Sequence, residues 1–389
     1  MQRTGRVGPY IAALLCAALL SACTYSEALR QDEFWPLRPL PGGAAAPGVF
    51  YATDRAADST GFGLHWGAKL SCGRMDVMLG SQHGYDIAPG AKPATACDTA
   101  AEMDVFAADM AAAARAANCD RLLLVVHGYN TTFRNAVLRA GQMAADMHWQ
   151  CSTLLFSWSS EGFFNRYAAD IERSSYAVPS LMALLRALAA KGLKTDIMAH
   201  SMGARISLNA LGQLCRKGAK PLAGEVILAA PDVNAEHGND DFGRFLKQVA
   251  PCVGRTTVYA SDNDIALMGS QRIHGGIPRA GEKPSVAMQY ASSGPDGRVD
   301  IVDASRAPGD LAGHGYFSLA YEAADDMMGV LAGQAAAQRL RRDGRGTLDC
   351  ADEPACAAGR YELYVAPERR PDLGTRLLRA LYRLILPLQ

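Results

Sequence analysis

The chain has 389 residues, enough for one large α/β domain or two smaller ones. Apolar residues make up 49% and charged residues 20%, which excludes a disordered chain. Lys plus Arg and Asp plus Glu number 39 each, so the formal charge is zero. A nucleic-acid partner is not expected, because it calls for a net basic domain.

The chain opens with "MQRTGRVGPYIAALLCAALLSAC". Arg3 and Arg6 precede an apolar run from about Val7 to Leu20 that is short and Ala-rich for a membrane span. It reads as an export signal over residues 1–22. The ending "LLSAC" resembles the lipobox of bacterial lipoproteins, which implies cleavage before Cys23 and lipid on its thiol. The expected place is the cell envelope, with the chain anchored in the membrane through Cys23. Thr24 is not an aspartate, and that resemblance favours the outer membrane, facing the periplasm. Residues 23–48 include "WPLRPLPGGAAAPG" and read as a tether.

Eight cysteines remain beyond Cys16 and Cys23: Cys72, Cys97, Cys119, Cys151, Cys215, Cys252, Cys350 and Cys356. An even number in an oxidising compartment predicts disulfides. Their spacing matches no zinc motif, so no metal or other cofactor is expected.

"GVFYATDR" begins the domain, expected over residues 49–345, where strands alternate with helices. "DRLLLVVHGYN" (120–130) is a strand buried on both faces, and "NAVLRAGQMAADMHW" follows at helical spacing. "STLLFSW" (152–158) is the next strand. "YAVPSLMALLRALAAKG" aligns Ala177, Leu181, Leu184, Leu185 and Leu188 on one helical stripe, with Gly192 as its stop. "TDIMA" (195–199) is a strand running into the helix "ARISLNALGQL", and "EVILAAPDV" and "TTVYASDND" are two further strands. This alternation predicts an α/β fold with a mostly parallel sheet covered on both faces. Active residues then belong at the carboxyl ends of the strands.

The chemistry centres on "AHSMG". Ser201 lies between a short apolar strand and a helix, where a nucleophile elbow of the G-x-S-x-G type would sit. Ala199 stands in place of the first glycine, and the competing role for Ser201 is a helix N-cap. A serine nucleophile needs a base, an orienting acid and an oxyanion hole. His237, His274 and His314 are the histidines after Ser201. His314, in the glycine-flanked "LAGHGYF" beyond the placed strands, is the expected base. His237 comes too early, and "IHGGIPRAG" around His274 reads as a surface excursion. Asp264 is the expected acid, with Asp232 as alternative and Asp262 as a weaker third. The oxyanion donors are expected to be the Met202 N–H and one from Tyr129 or Asn130, with Gly128 allowing close approach. His127 is expected to shape that loop, His200 to pack beneath the elbow, and Phe163, Phe164 and Tyr167 to line the mouth or the core.

"VFYATDR", "LLLVVHGYN", "LLFSWSSEG", "IMAHSMGARISLNAL", "ILAAPDVNAEH", "VYASDNDIAL" and "VDASRAPGDLAGHGYF" together resemble a bacterial family of uncharacterised α/β-hydrolases over about residues 49–330. The resemblance implies an α/β-hydrolase fold, a serine hydrolase site and the triad Ser201, Asp264 and His314. It implies no substrate. Ser159 stands where that family has a proline, and Gly238 where it often has a phenylalanine, with Phe242 nearby. In this fold the strands starting at Arg121 and Ser152 are neighbours, so Cys119 and Cys151 come within the roughly 4.4–6.8 Å that a bridge needs. Cys350–Cys356, Cys215–Cys252 and Cys72–Cys97 complete the expected set.

The tail "RRPDLGTRLLRALYRLILPLQ" falls in an expected C-terminal extension, 346–389. It is an amphipathic helix with Leu377, Leu378, Leu381, Leu384 and Ile385 opposite Arg376, Arg379 and Arg383. Docking on the domain, pairing with another chain and lying on a membrane are its three open roles. The expected activity is hydrolysis of a small acyl ester or a lipid. The competing class is a non-catalytic, envelope-anchored binding or scaffold module on the same fold.

Overall fold

The computed structural model describes Leu37 and residues 48–59, 61–79, 84–89, 94–161, 166–216, 221–236, 241–291, 298–310 and 312–385. The export segment, Cys23, nearly all of the tether, Phe163, Phe164, His237 and Gly238 lie outside the described residues.

Twelve strands are found among the described residues: β1 (Gly48–Asp58), β2 (Gly61–Leu79), β3 (Tyr85–Ile87), β4 (Thr95–Ala96), β5 (Arg121–Val126), β6 (Ser152–Ser157), β7 (Lys194–His200), β8 (Ala223–Ala229), β9 (Val253–Ala260), β10 (Val299–Asp303), β11 (Leu348–Asp349) and β12 (Arg360–Leu363). Their order across the sheet is β11-β12-β10-β9-β8-β7-β5-β6-β1-β2-β3, with β4 beside β2. The run from β12 to β1 is parallel. Antiparallel strands occur only toward the two edges.

The central strands are mostly apolar because each feeds two cores, with Thr153, Thr195, Asp196, Thr256 and Thr257 as buried polar exceptions. Leu122, Leu124, Val126, Ile197, Ala199, Val226 and Leu228 point into one. The alternate residues Leu123, Val125, Met198, Ile227 and Ala229 point into the other. The helices Ala100–Ala116, Tyr167–Ala190, Met202–Arg216 and Asp241–Val249 cover the first face. Phe133–Asp146 and Tyr321–Leu331 cover the second. The stripe from Ala177 to Leu188 is buried as expected, and Gly192 ends that segment at φ +73°.

Three features depart from the sequence reading. β1 does not lead into a helix but turns back into the 19-residue β2. The short strand "VDIVD" of β10 went unread, and His314 is followed by β11 and β12 rather than by helices alone. β12 pairs with β10, so a boundary at residue 345 cuts through the sheet.

Disulfides join Cys72 to Cys97, Cys119 to Cys151, Cys215 to Cys252 and Cys350 to Cys356. The second follows from parallel register: Leu122 pairs with Ser152, which brings the residues just before both strands together, with Cα atoms 5.7 Å apart. Its half-cystines are 32 residues apart in sequence, and restraining a loop of that size stabilises a fold by about 3–4 kcal/mol. The double variant Cys119→Ser, Cys151→Ser is expected to lose about that much unfolding free energy in urea titration. No measurable change would show that this bridge adds nothing to stability.

Candidate active site

Parallel strands end side by side, so β5, β7, β8 and β9 bring their carboxyl ends into one row. Three non-glycine residues in the left-handed region lie at these ends: Asn130 at φ +55°, Ser201 at +53° and Ala230 at +48°. Each such residue costs about 1–3 kcal/mol, and clustering of that strain is typical of functional sites.

Ser201 sits between β7 and the helix Met202–Arg216. Its N–H donates to the Ala229 carbonyl at 2.9 Å, and its own carbonyl accepts from the N–H groups of Ala204 and Asp232, both at 3.1 Å. The turn is therefore pinned from both sides. The reason for Gly203 is steric: a Cβ there would lie 2.4 Å from the Val126 carbonyl oxygen and 2.5 Å from that of His127. The helix start thus rests directly on the end of β5. Ala199, by contrast, points its methyl into the core, where it is fully buried. The elbow has room for alanine at its first small position and none at its last.

The loop after β5 touches Ser201. A Cβ on Gly128 would lie 3.0 Å from Ser201 Cβ and 2.8 Å from His200 Nδ1. Met202 begins its helix, where backbone N–H groups lack intrahelical partners. Asn130 donates its backbone N–H to buried Asp170, which directs attention to the amides of Gly128 and Tyr129.

His314 approaches from the loop after β10. Its Nδ1 lies 2.6 Å from Asp264 Oδ2. Its backbone N–H donates to Asp310 Oδ1 at 2.9 Å. Asp264 is fully buried and also caps the helix Ile265–Ile273, accepting from the Leu267 N–H at 2.9 Å. Gly313 lets this loop close in, since a Cβ there would meet the Asn263 carbonyl oxygen at 2.0 Å. Burial opposes a charge on His314, yet the Asp264 carboxylate outweighs it and pushes the imidazole up to about 9. Burial raises Asp264 as well, against the pull of His314.

His200, expected to pack beneath the elbow, lies against the ring of the buried Phe317. It is only half-buried, stacked on Phe317 at 4.0 Å, with its ring centroid 4.5 Å from that of His314. Burial and the neighbouring His314 hold it well below the usual histidine value, so it stays neutral. His127 is also neutral, driven down to about 3 by burial and then by Arg55. It is tied to the Gly128 carbonyl at 2.7 Å and to Ser157 Oγ at 3.3 Å, which fits a loop-shaping role.

The alternative acid is engaged elsewhere. Asp232 accepts from Arg279 Nε at 2.7 Å, from Ser270 Oγ at 2.6 Å and from the Tyr167 hydroxyl. Burial works against its charge, but Arg279, Ser270 and Tyr167 keep it below the ordinary carboxylate range. Asp262 is exposed. The segment "IHGGIPRAG" is a surface excursion only in its first half, where Ile273, Gly275 and Gly276 are exposed. Arg279, Ala280 and Glu282 are buried, and a Cβ on Gly281 would strike the Ala230–Pro231 backbone at 2.4–2.5 Å. His274 lies half-buried against the Tyr167 ring, with its Nδ1 2.8 Å from the Ser270 carbonyl.

Sequence reasoning missed Arg55, the last residue of "VFYATDR". Its buried guanidinium reaches Ser157 Oγ at 3.1 Å and the carbonyls of Ser160 at 2.9 Å, Gly63 at 3.1 Å and Thr131 at 2.6 Å. Ser160 links the same loop to Asp170, accepting from the Thr131 N–H at 3.3 Å and donating to Asp170 Oδ2 at 2.6 Å. An arginine closing an apolar strand was the only signal for this support. Among the described residues no group of His, Cys, Asp or Glu is arranged to hold a metal ion.

No curated protein matches this chain. A solved structure from work titled "Structural analysis of two fungal esterases from Rhizomucor miehei explaining their substrate specificity" aligns over 99% of this chain and 98% of that chain, at 9% identity and a TM-score of 0.31. A likeness that low carries no argument. The family model described as "Alpha/beta hydrolase of unknown function (DUF900)" matches residues 102–329, which hold Ser201, Asp264 and His314. That match spans more than half of the chain, and the protein belongs to this family of α/β-hydrolases.

Proposed function

We propose that the protein is a serine hydrolase acting on acyl esters through Ser201, His314 and Asp264. The observation that carries this reading is the 2.6 Å His314–Asp264 pair, with the His314 ring 4.5 Å from that of His200, the residue just before the left-handed Ser201. Ser201 Oγ attacks the acyl carbonyl while His314 Nε2 takes its proton. Asp264 holds the Nδ1–H and stabilises the imidazolium. The Met202 N–H and the amide of Gly128 or Tyr129 receive the oxyanion, the Asn130 N–H being engaged by Asp170. His314 returns the proton to the leaving alkoxide, then draws one from water, which releases the acid and restores Ser201.

The neutral state of His127 and His200 supports this assignment, because neither competes with His314 for a proton in the ordinary range. The buried Asp232–Arg279 pair supports a structural role for that aspartate.

Turnover of an ester panel tests the roles. Ser201→Ala is expected to lower kcat by about 10⁶-fold. Asp264→Asn is expected to lower it by about 10⁴-fold in a folded protein. Asp232→Asn strands the buried Arg279, so its main cost is stability, about 3–5 kcal/mol in urea titration. A larger loss of turnover in folded Asp232→Asn than in Asp264→Asn would overturn the assignment of the acid.

The base must be unprotonated to act. Asp264 pushes His314 up to about 9, so kcat/KM should rise with pH along a limb centred near that value. A limb at or below the ordinary histidine value would contradict charge stabilisation by Asp264.

A further inference from the structure

The helix Leu373–Ile385 docks on the domain through Arg379, with Thr375 and Leu378 partly buried beside it. Arg379 is buried, and its Nη2 donates to the Asp310 carbonyl at 2.8 Å. A Cβ on Gly313 would lie 3.4 Å from Arg379 Cζ. The helix therefore rests on the loop that carries His314. Asp310 links the two directly, since its side chain receives the His314 N–H.

With Arg379 inside and Leu378 partly buried, three other leucines of the helix face out. Leu373, Leu377 and Leu381 recur every four residues on one face and are 64%, 61% and 43% exposed. Ile273, 60% exposed, ends the helix Ile265–Ile273, which packs against this one. Scattered apolar residues are ordinary on a surface, but a continuous helical stripe is not. The helix itself holds Arg376, Arg379 and Arg383 and no acidic residue, while Arg369 just before it is paired with Glu322 and Arg379 is buried. Arg370 and Arg376 are exposed.

We infer that this stripe is a docking face for an anionic phospholipid surface, which sets the His314 loop one helix away from the bilayer. Exposed leucines bordered by arginines suit an interface of anionic headgroups above acyl chains. Two copies of the helix related by a two-fold axis would bring like charges together, which disfavours self-association. This inference is independent of whether Ser201 is the nucleophile.

The test uses the full chain carrying Leu377→Trp, read as a tryptophan emission difference against the wild type. Phosphatidylglycerol vesicles are expected to shift the added emission to the blue, and acyl-chain bromination of the lipid is expected to quench it. Adding Leu373→Ser and Leu381→Ser should weaken the response at least about tenfold in a vesicle titration. Turnover of a water-soluble ester should persist in that variant, and intact near-UV circular dichroism confirms its fold even without activity. No shift with phosphatidylglycerol vesicles overturns the inference. An equal shift with phosphatidylcholine overturns the anionic partner. A blue shift before lipid is added, in a sedimenting dimer that the serine substitutions make monomeric, assigns the face to a second copy instead.

Discussion

The site depends on one close approach. The helix that begins at Met202 lies so near the end of β5 that Gly203 has no space for a methyl against the carbonyls of Val126 and His127. That approach fixes the positive φ of Ser201 and sets the Met202 amide beside it. It also lets Gly128 lie against Ser201 Cβ, so the nucleophile position and the loop expected to bind the oxyanion are positioned by the same contact. The strain at Asn130, Ser201 and Ala230 is held by register, because β5, β7 and β8 are locked in parallel by an unbroken apolar core.

Buried charge does the remaining positioning. Arg55 gathers carbonyls from the loops after β5 and β6, and Arg279 holds Asp232 behind the elbow. Such groups are costly to desolvate and strongly destabilising to break, so they specify a geometry more than they add stability. The same environment separates the histidines. His127 and His200 sit among apolar rings and cations and stay neutral, whereas His314 faces a carboxylate and is driven the other way. Titratable groups whose surroundings push them apart are what acid–base chemistry requires.

The central strands were legible because a strand buried on both faces is mostly apolar, as in the runs Leu122–Val126 and Ile197–Ala199. Gly203, Asp264 and His314 were legible through order and spacing. The edges were not. β2 is half-exposed, its alternation of apolar and polar residues breaks down after Cys72, and Gly61, Gly63, Gly67 and Gly73 punctuate it, so its sequence resembles a loop as much as a strand. β10 reads "VDIVD", and its Asp300 is buried only because Arg255 reaches it at 3.0 Å from the neighbouring strand. Long-range partners of that kind leave no local pattern. Arg55, Arg279 and Arg379 follow the same rule: each is a buried arginine whose acceptors lie far away in sequence. The amphipathic pattern of the last helix did not give its faces: Arg376 is exposed with Leu377 and Leu381, whereas Leu378 is partly buried with Arg379. The Asp310 carbonyl draws Arg379 inward.

The central claim is that Ser201 is the nucleophile. Reaction of the full chain with a fluorophosphonate, followed by intact mass and peptide mapping, tests it most directly. The account predicts a single adduct on Ser201, formed faster as His314 loses its proton. An adduct on another serine, or none in a protein that is folded, would contradict it.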